Sequence, residues 1–135
     1  MSLIKKATPF VLTAWEEIKT SSGLMGESRL MLHPVLLGYL FQVAIMASEM
    51  IRGRSIAFDE KLLIGKNCIM RAQDIYGVGN ISALFGVIDK LQNNEMFCLG
   101  GSLAESDMLS HIAGNPVMMG MLELKKILRD DGLIF

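Results

Sequence analysis

Apolar residues along this chain recur at three- and four-residue spacing, and helix-breaking residues fall between the periodic stretches. Phe10, Ala14, Trp15 and Ile18 trace one face, with Glu16, Glu17 and Lys19 opposite. Thr8 and Pro9 ahead of them read as N-cap and first helical residue, a position where proline's missing N–H costs nothing, and Ser21-Ser22-Gly23 ends the segment. After a turn opened by Ser28, Pro34 disfavours helical geometry at His33, so the next helix is expected to start at about Val35. Between Val35 and Arg52 apolar side chains occupy nearly the whole circumference, leaving Gly38, Gln42, Glu49 and Arg52 along a narrow strip.

Asp59 follows as an expected N-cap, with Phe58 and Leu63 placed to form a hydrophobic staple, and Leu62, Gly65, Ile69, Ala72 and Tyr76 form a stripe. Gly77 and Gly79 stop that helix and Asn80 is expected to cap the next, whose stripe is Ile81, Leu84, Phe85, Ile88 and Leu91, ending at Asn93-Asn94. Glu95 to Gly101 is the least helical piece and reads as an apolar connector. Ser102 and Glu105 then make a capping box for a short helix ending near Gly114. Asn115-Pro116 opens a last helix with Val117, Met121, Leu124 and Leu128 on one face and Lys125, Lys126 and Arg129 near its end. No stretch alternates with a two-residue period between turn signals. The expectation is therefore all-α: residues 1–135 form a single-domain bundle of five or six helices, near 9–20, 59–76, 81–93, 102–114 and 116–130, around a central hydrophobic helix at about 35–52.

The central segment poses the question of a membrane. A span needs about 20 consecutive apolar residues, whereas this run meets Gln42 and is closed by Ser48, Glu49 and Arg52. A helix apolar on almost every side is better placed inside a bundle, so no membrane span is expected.

Composition changes the picture in one respect. Hydrophobic residues make up 51% of the 135 and charged residues 20%, with a mean hydropathy of +0.40. That is more apolar surface than a domain of this size needs, and it points to association, most simply a homodimer. A net charge of −1, from 13 basic and 14 acidic residues spread along the chain, supplies no basic field for nucleic acid. Cys68 and Cys98 follow no secretory pattern and imply a reducing, cytoplasmic setting.

Candidate chemistry is sparse. His33, His111, Cys68 and Cys98 show no metal-ligand spacing, and no glycine loop follows a strand, so neither metal nor cofactor is expected. Asp107 and His111 stand four apart on one helix face, and with Cys98 upstream they form the one drawable catalytic set, a cysteine nucleophile oriented by histidine and aspartate. The stronger signal is methionine, with 11 residues. Met118, Met119 and Met121 crowd the start of the last helix, where they cannot all face one way, and unbranched thioethers adapt to varied partner shapes. These three, with the Leu133-Ile134-Phe135 tail, are the expected partner-binding surface of a non-enzymatic interaction module, with the small cysteine-dependent enzyme as the alternative.

Overall fold

The computed structural model describes residues 2–21, 27–115 and 117–134. Among them are seven helices and no strand: α1 (Leu3–Thr20), α2 (Glu27–Met31), α3 (Pro34–Arg52), α4 (Phe58–Ala72), α5 (Val78–Leu91), α6 (Glu95–Ile112) and α7 (Met119–Asp130). The chain is all-α around one contiguous core, as its periodicity implies. The helix beyond the expected number is the short α2, which contains the Ser28 read as a turn. The stop at Ser22-Gly23, Met25, Pro116 and Phe135 lie outside the described residues.

The central helix is α3. His33 stays extended, as the following proline demands, and its Nδ1 accepts from the Val35 N–H, so the imidazole itself caps the helix. Its other nitrogen, Nε2, lies 2.7 Å from Asp131 Oδ2 just beyond α7. At the far end Gly53 adopts φ +79 and donates to Glu49 O, and the Glu49 carboxylate takes the Ile56 N–H at 3.1 Å. By length and composition α3 could cross a membrane, yet 67% of its apolar window is buried inside the protein. Its principal neighbour is α6, with α1 and α4 on the remaining sides. Leu36, Leu37 and Leu40 are fully enclosed, each contributing roughly 1.5–3 kcal/mol of burial.

Glycines set how closely these helices approach. A Cβ on Gly38 of α3 would fall 1.9 Å from Phe97 O of α6, and one on Gly100 of α6 would fall 2.0 Å from Val35 O of α3. The two backbones touch at this crossing. Gly65 of α4 leaves room in the same way for the Phe41 ring, which meets Phe97 at a centroid distance of 5.5 Å and a 59° tilt.

This crossing explains the main departure from the sequence pattern. Glu95 to Gly101 is the first part of α6, not a connector, and Asn94 caps it through Oδ1 to the Met96 and Phe97 N–H groups. Ser102 sits mid-helix, its hydroxyl donating to Cys98 O, so the capping box with Glu105 does not form. Glycine weakens a helix by about 1 kcal/mol in isolation, and here packing outweighs that propensity.

Other boundaries shift for local reasons. Ser2 caps α1 by accepting from the Lys5 N–H, so the helix begins well before Thr8 and Pro9 lies inside it, on the exposed side. Thr8 instead donates its hydroxyl to Ile4 O. The buried line is Ala7, Val11, Trp15 and Ile18, which turns Phe10 outward at 45% exposure. Ala57 rather than Asp59 precedes α4 and gives no side-chain cap, and Phe58 and Leu63 stand 68% and 56% exposed instead of closing on the core. Asp59 and Glu60 serve the first turn electrostatically. Asp74, at φ +59, ends the stripe of α4 before Tyr76. Gly77, at φ +86, precedes α5, which places Asn80 inside its first turn with the amide donating to Tyr76 O. Asn115 Oδ1 takes the Val117 N–H, but α7 starts only at Met119.

Substitution at the crossing should reverse the usual glycine rule. Gly38→Ala and Gly100→Ala are each expected to lower unfolding stability in urea by about 1–3 kcal/mol or more. Gly86→Ala in α5, where a Cβ meets nothing within 4 Å, should raise it by about 0.5–1 kcal/mol.

Candidate functional site

An apolar groove of about 390 Å³ opens between α1, α3, the C-terminal half of α6 and the start of α7. Helix α1 contributes Pro9, Phe10, Thr13, Ala14 and Glu17; α3 contributes Tyr39, Val43 and Met50. Asp107, Met108, His111 and Ile112 come from α6, and Met118 and Met121 close the remaining side. Phe10, Met50, Ile112 and Met118 are 45%, 50%, 60% and 38% exposed, so the walls present large apolar side chains to solvent.

The floor is polar. Asp107 is 1% exposed, and its carboxylate accepts from Tyr39 Oη at 2.6 Å, from the Gly120 N–H at 2.6 Å and from the Met121 N–H at 2.7 Å. Gly120 and Met121 belong to the first turn of α7, whose own N-cap residue, Met118, makes no side-chain bond. A residue of α6 therefore caps α7, and the partial positive charge of that helix end steadies the buried anion. Gly120 is required for this approach, because a Cβ there would lie 2.2 Å from Leu103 O and 2.8 Å from Asp107 Oδ2. Burial first, and then the hydrogen bond to Asp107 and the charges of Asp107 and Glu17, hold the Tyr39 phenol well above the usual tyrosine range. At the rim Glu17 pairs with Lys125 at 2.9 Å, tying α1 to α7.

The residues singled out from the sequence divide clearly. Asp107, His111, Met118 and Met121 converge on this one groove. Met119 is 64% exposed but outside the lining. Met121 packs into the core at 4% exposure while its edge reaches the groove. Leu133 and Ile134 are 4% and 6% exposed, because Gly132, at φ +74, folds the tail back onto the core. These two residues therefore do not stand out from the surface as an exposed tail.

The catalytic set does not assemble. Cys98 and His111 lie on the same helix, α6, separated by thirteen positions, or about 20 Å along its axis. Asp107 is committed to Tyr39 and α7, and no hydrogen bond joins it to the exposed His111. Cys98 is exposed, and Cys68 is the buried thiol. Cys68 donates to Ile4 O, and burial pushes its thiol up against the weaker opposing effects of Thr8 and Arg71. Among the described residues no group of three or more His, Cys, Asp or Glu side chains gathers to hold a metal.

The pattern of the sequence did not reveal Tyr39, Phe10 and Glu17 as site residues. Tyr39 counts as one more apolar member of α3, although a buried tyrosine hydroxyl needs a partner and could have signalled Asp107. Phe10 fits a helical stripe so well that its outward turn is invisible without the true start of α1.

Two measurements check this geometry. In a Tyr76→Phe variant Tyr39 is the only tyrosine left of the 2. Since folding keeps its phenol neutral, the stability involved is full below about pH 10 and falls as pH rises further, because the unfolded chain ionises first. Absorbance at the phenolate band should appear only together with loss of the helical circular dichroism signal. A thiol reagent should modify Cys98 in the native protein and Cys68 only on unfolding. No family model, curated protein or solved structure matches this chain.

Proposed function

We propose that the protein is a non-enzymatic interaction module that receives an apolar segment of a partner protein in the groove between α1, α3, α6 and α7. The observation that carries this reading is the exposure of Phe10, Met50, Ile112 and Met118 around one concavity. Large apolar side chains left in water beside a cleft are favourable only when something else covers them. The volume suits the side chains of a helix laid along the cleft, in the mode in which an amphipathic helix seats anchors spaced at three, four and seven residues. Met108 and Met118 adapt the walls to the shape of those anchors. The separation of Cys98 from His111 and the commitment of Asp107 to α7 leave the cysteine-enzyme alternative without support.

The test is capture of partners from a native cell extract, followed by mass spectrometry. Wild-type protein and a Val78→Asp control, altered at a residue 85% exposed on α5, should retain the same set. Phe10→Asp with Met118→Asp should lose it while keeping the native circular dichroism spectrum. An unchanged set with the double variant would refute the groove as the binding surface.

A further inference from the structure

The imidazole of His33 makes two hydrogen bonds that together admit a single protonation state. Its Nδ1 lies 3.2 Å from the Val35 nitrogen and accepts that N–H, so Nδ1 must carry a lone pair. Its Nε2 lies 2.7 Å from Asp131 Oδ2, and an ionised carboxylate only accepts, so Nε2 must carry the proton. The neutral ring protonated on Nε2 satisfies both bonds. The other neutral tautomer satisfies neither, and the cation satisfies only the bond to Asp131.

The residue has little freedom to escape this choice. Its own N–H donates to Leu30 O at 3.1 Å and its carbonyl accepts from the Leu37 N–H at 2.9 Å, which pins the backbone on both sides. The side chain is 12% exposed and borders a recess of about 430 Å³ completed by Arg29, Leu32, Pro34, Asp131 and Leu133. Among the described residues, the charged groups facing the ring there are therefore Arg29, from α2, and Asp131, from just past α7. Asp131 attracts a positive ring, whereas Arg29 and the positive end of α3 repel it. The second histidine, His111, lines the groove and not this recess.

We infer that His33 is an acid-sensitive cap: a proton taken from solvent onto the Nδ1 lone pair turns the acceptor that starts α3 into a donor facing the Val35 N–H, and so releases the first turn of the central helix while the bond to Asp131 persists. Imidazole is the ordinary side chain that changes charge between pH 5 and 8, so the device works where Asp131 stays ionised. Its effect is local. Pro34 has no N–H to lose, and the Leu37 N–H keeps the His33 carbonyl, so the Val35 amide is the group that reports the change.

The experiment is NMR on the full chain. At about pH 8 the His33 ring should carry its proton on Nε2 and none on Nδ1. On acidification to about pH 5, exchange of the Val35 amide with water, relative to an unstructured chain at the same pH, should rise by about fivefold, the factor that corresponds to one lost cap. His33→Asn keeps a capping oxygen that does not titrate and should show no such rise. Asp131→Asn, whose amide oxygen can still accept from Nε2, should retain it. A neutral ring protonated on Nδ1 would overturn the inference, as would a Val35 amide indifferent to titration of the ring. The same rise in His33→Asn would assign the effect to another group, and its loss in Asp131→Asn would assign it to the ion pair; both outcomes would also overturn it. If His33→Asn does not fold, the ring tautomer and the Asp131→Asn response decide.

Discussion

The contact of bare backbones where α3 crosses α6 is the constraint on which the remaining arrangement depends. With Gly38 against Phe97 O and Gly100 against Val35 O, the helices approach more closely than any side chain would permit. Every residue near the crossing is placed by that closeness. Phe97 reaches across to the Phe41 ring, and Tyr39, next to Gly38, reaches the carboxylate of Asp107 two turns further along α6. Separating the helices by the width of one methyl group would withdraw the hydroxyl from the carboxylate, leaving the buried Tyr39 hydroxyl unpaired and Asp107 with only its two N–H donors from α7. Leaving such a hydroxyl unpaired costs about 1–3 kcal/mol.

Asp107 then carries that order into the last helix. A carboxylate at 1% exposure is tolerated here because it meets an oriented hydroxyl, N–H groups and the positive end of a helix together. The arrangement satisfies the interior without a positive side chain. The group that starts α7 also lies at the base of the groove.

How much of this could be read from the sequence depends on whether a residue's role was local or shared between elements. The all-helical architecture, the central position of Pro34–Arg52 and the stripe of α5 follow from periodicity, which each helix carries within itself. Reading failed where two elements meet. Gly100 and Gly101 resemble a connector until α3 is laid against them, and the Ser102 to Glu105 spacing imitates a cap in a place where the chain is already helical. Thr8-Pro9 misled similarly, because Ser2 had already started α1. Of the residues singled out for the site, Met118 and Met121 line one groove together with Asp107 and His111. Asp107 and His111 do not pair, since the partners of Asp107 are a helix N-terminus and a tyrosine 68 positions away, which no spacing rule connects. The Leu133-Ile134 tail looked unpartnered because the fold-back at Gly132 is a tertiary event.

Helix α7 is secured at each end by residues outside it. Asp107 holds its first turn, Lys125 reaches Glu17 from its middle, and Asp131 just past its last turn meets the imidazole that caps α3. Such a helix has little capacity to persist alone, so its amides are expected to exchange with solvent as one cooperative unit, in the manner of a foldon. That opening would remove one wall of the groove, expose the buried carboxylate to water and disconnect the cap of the central helix in a single event. A segment lying in the groove against Met118 and Met121 would oppose it by mass action, and occupancy would therefore register as slowed hydrogen exchange along α7, far beyond the residues actually touched.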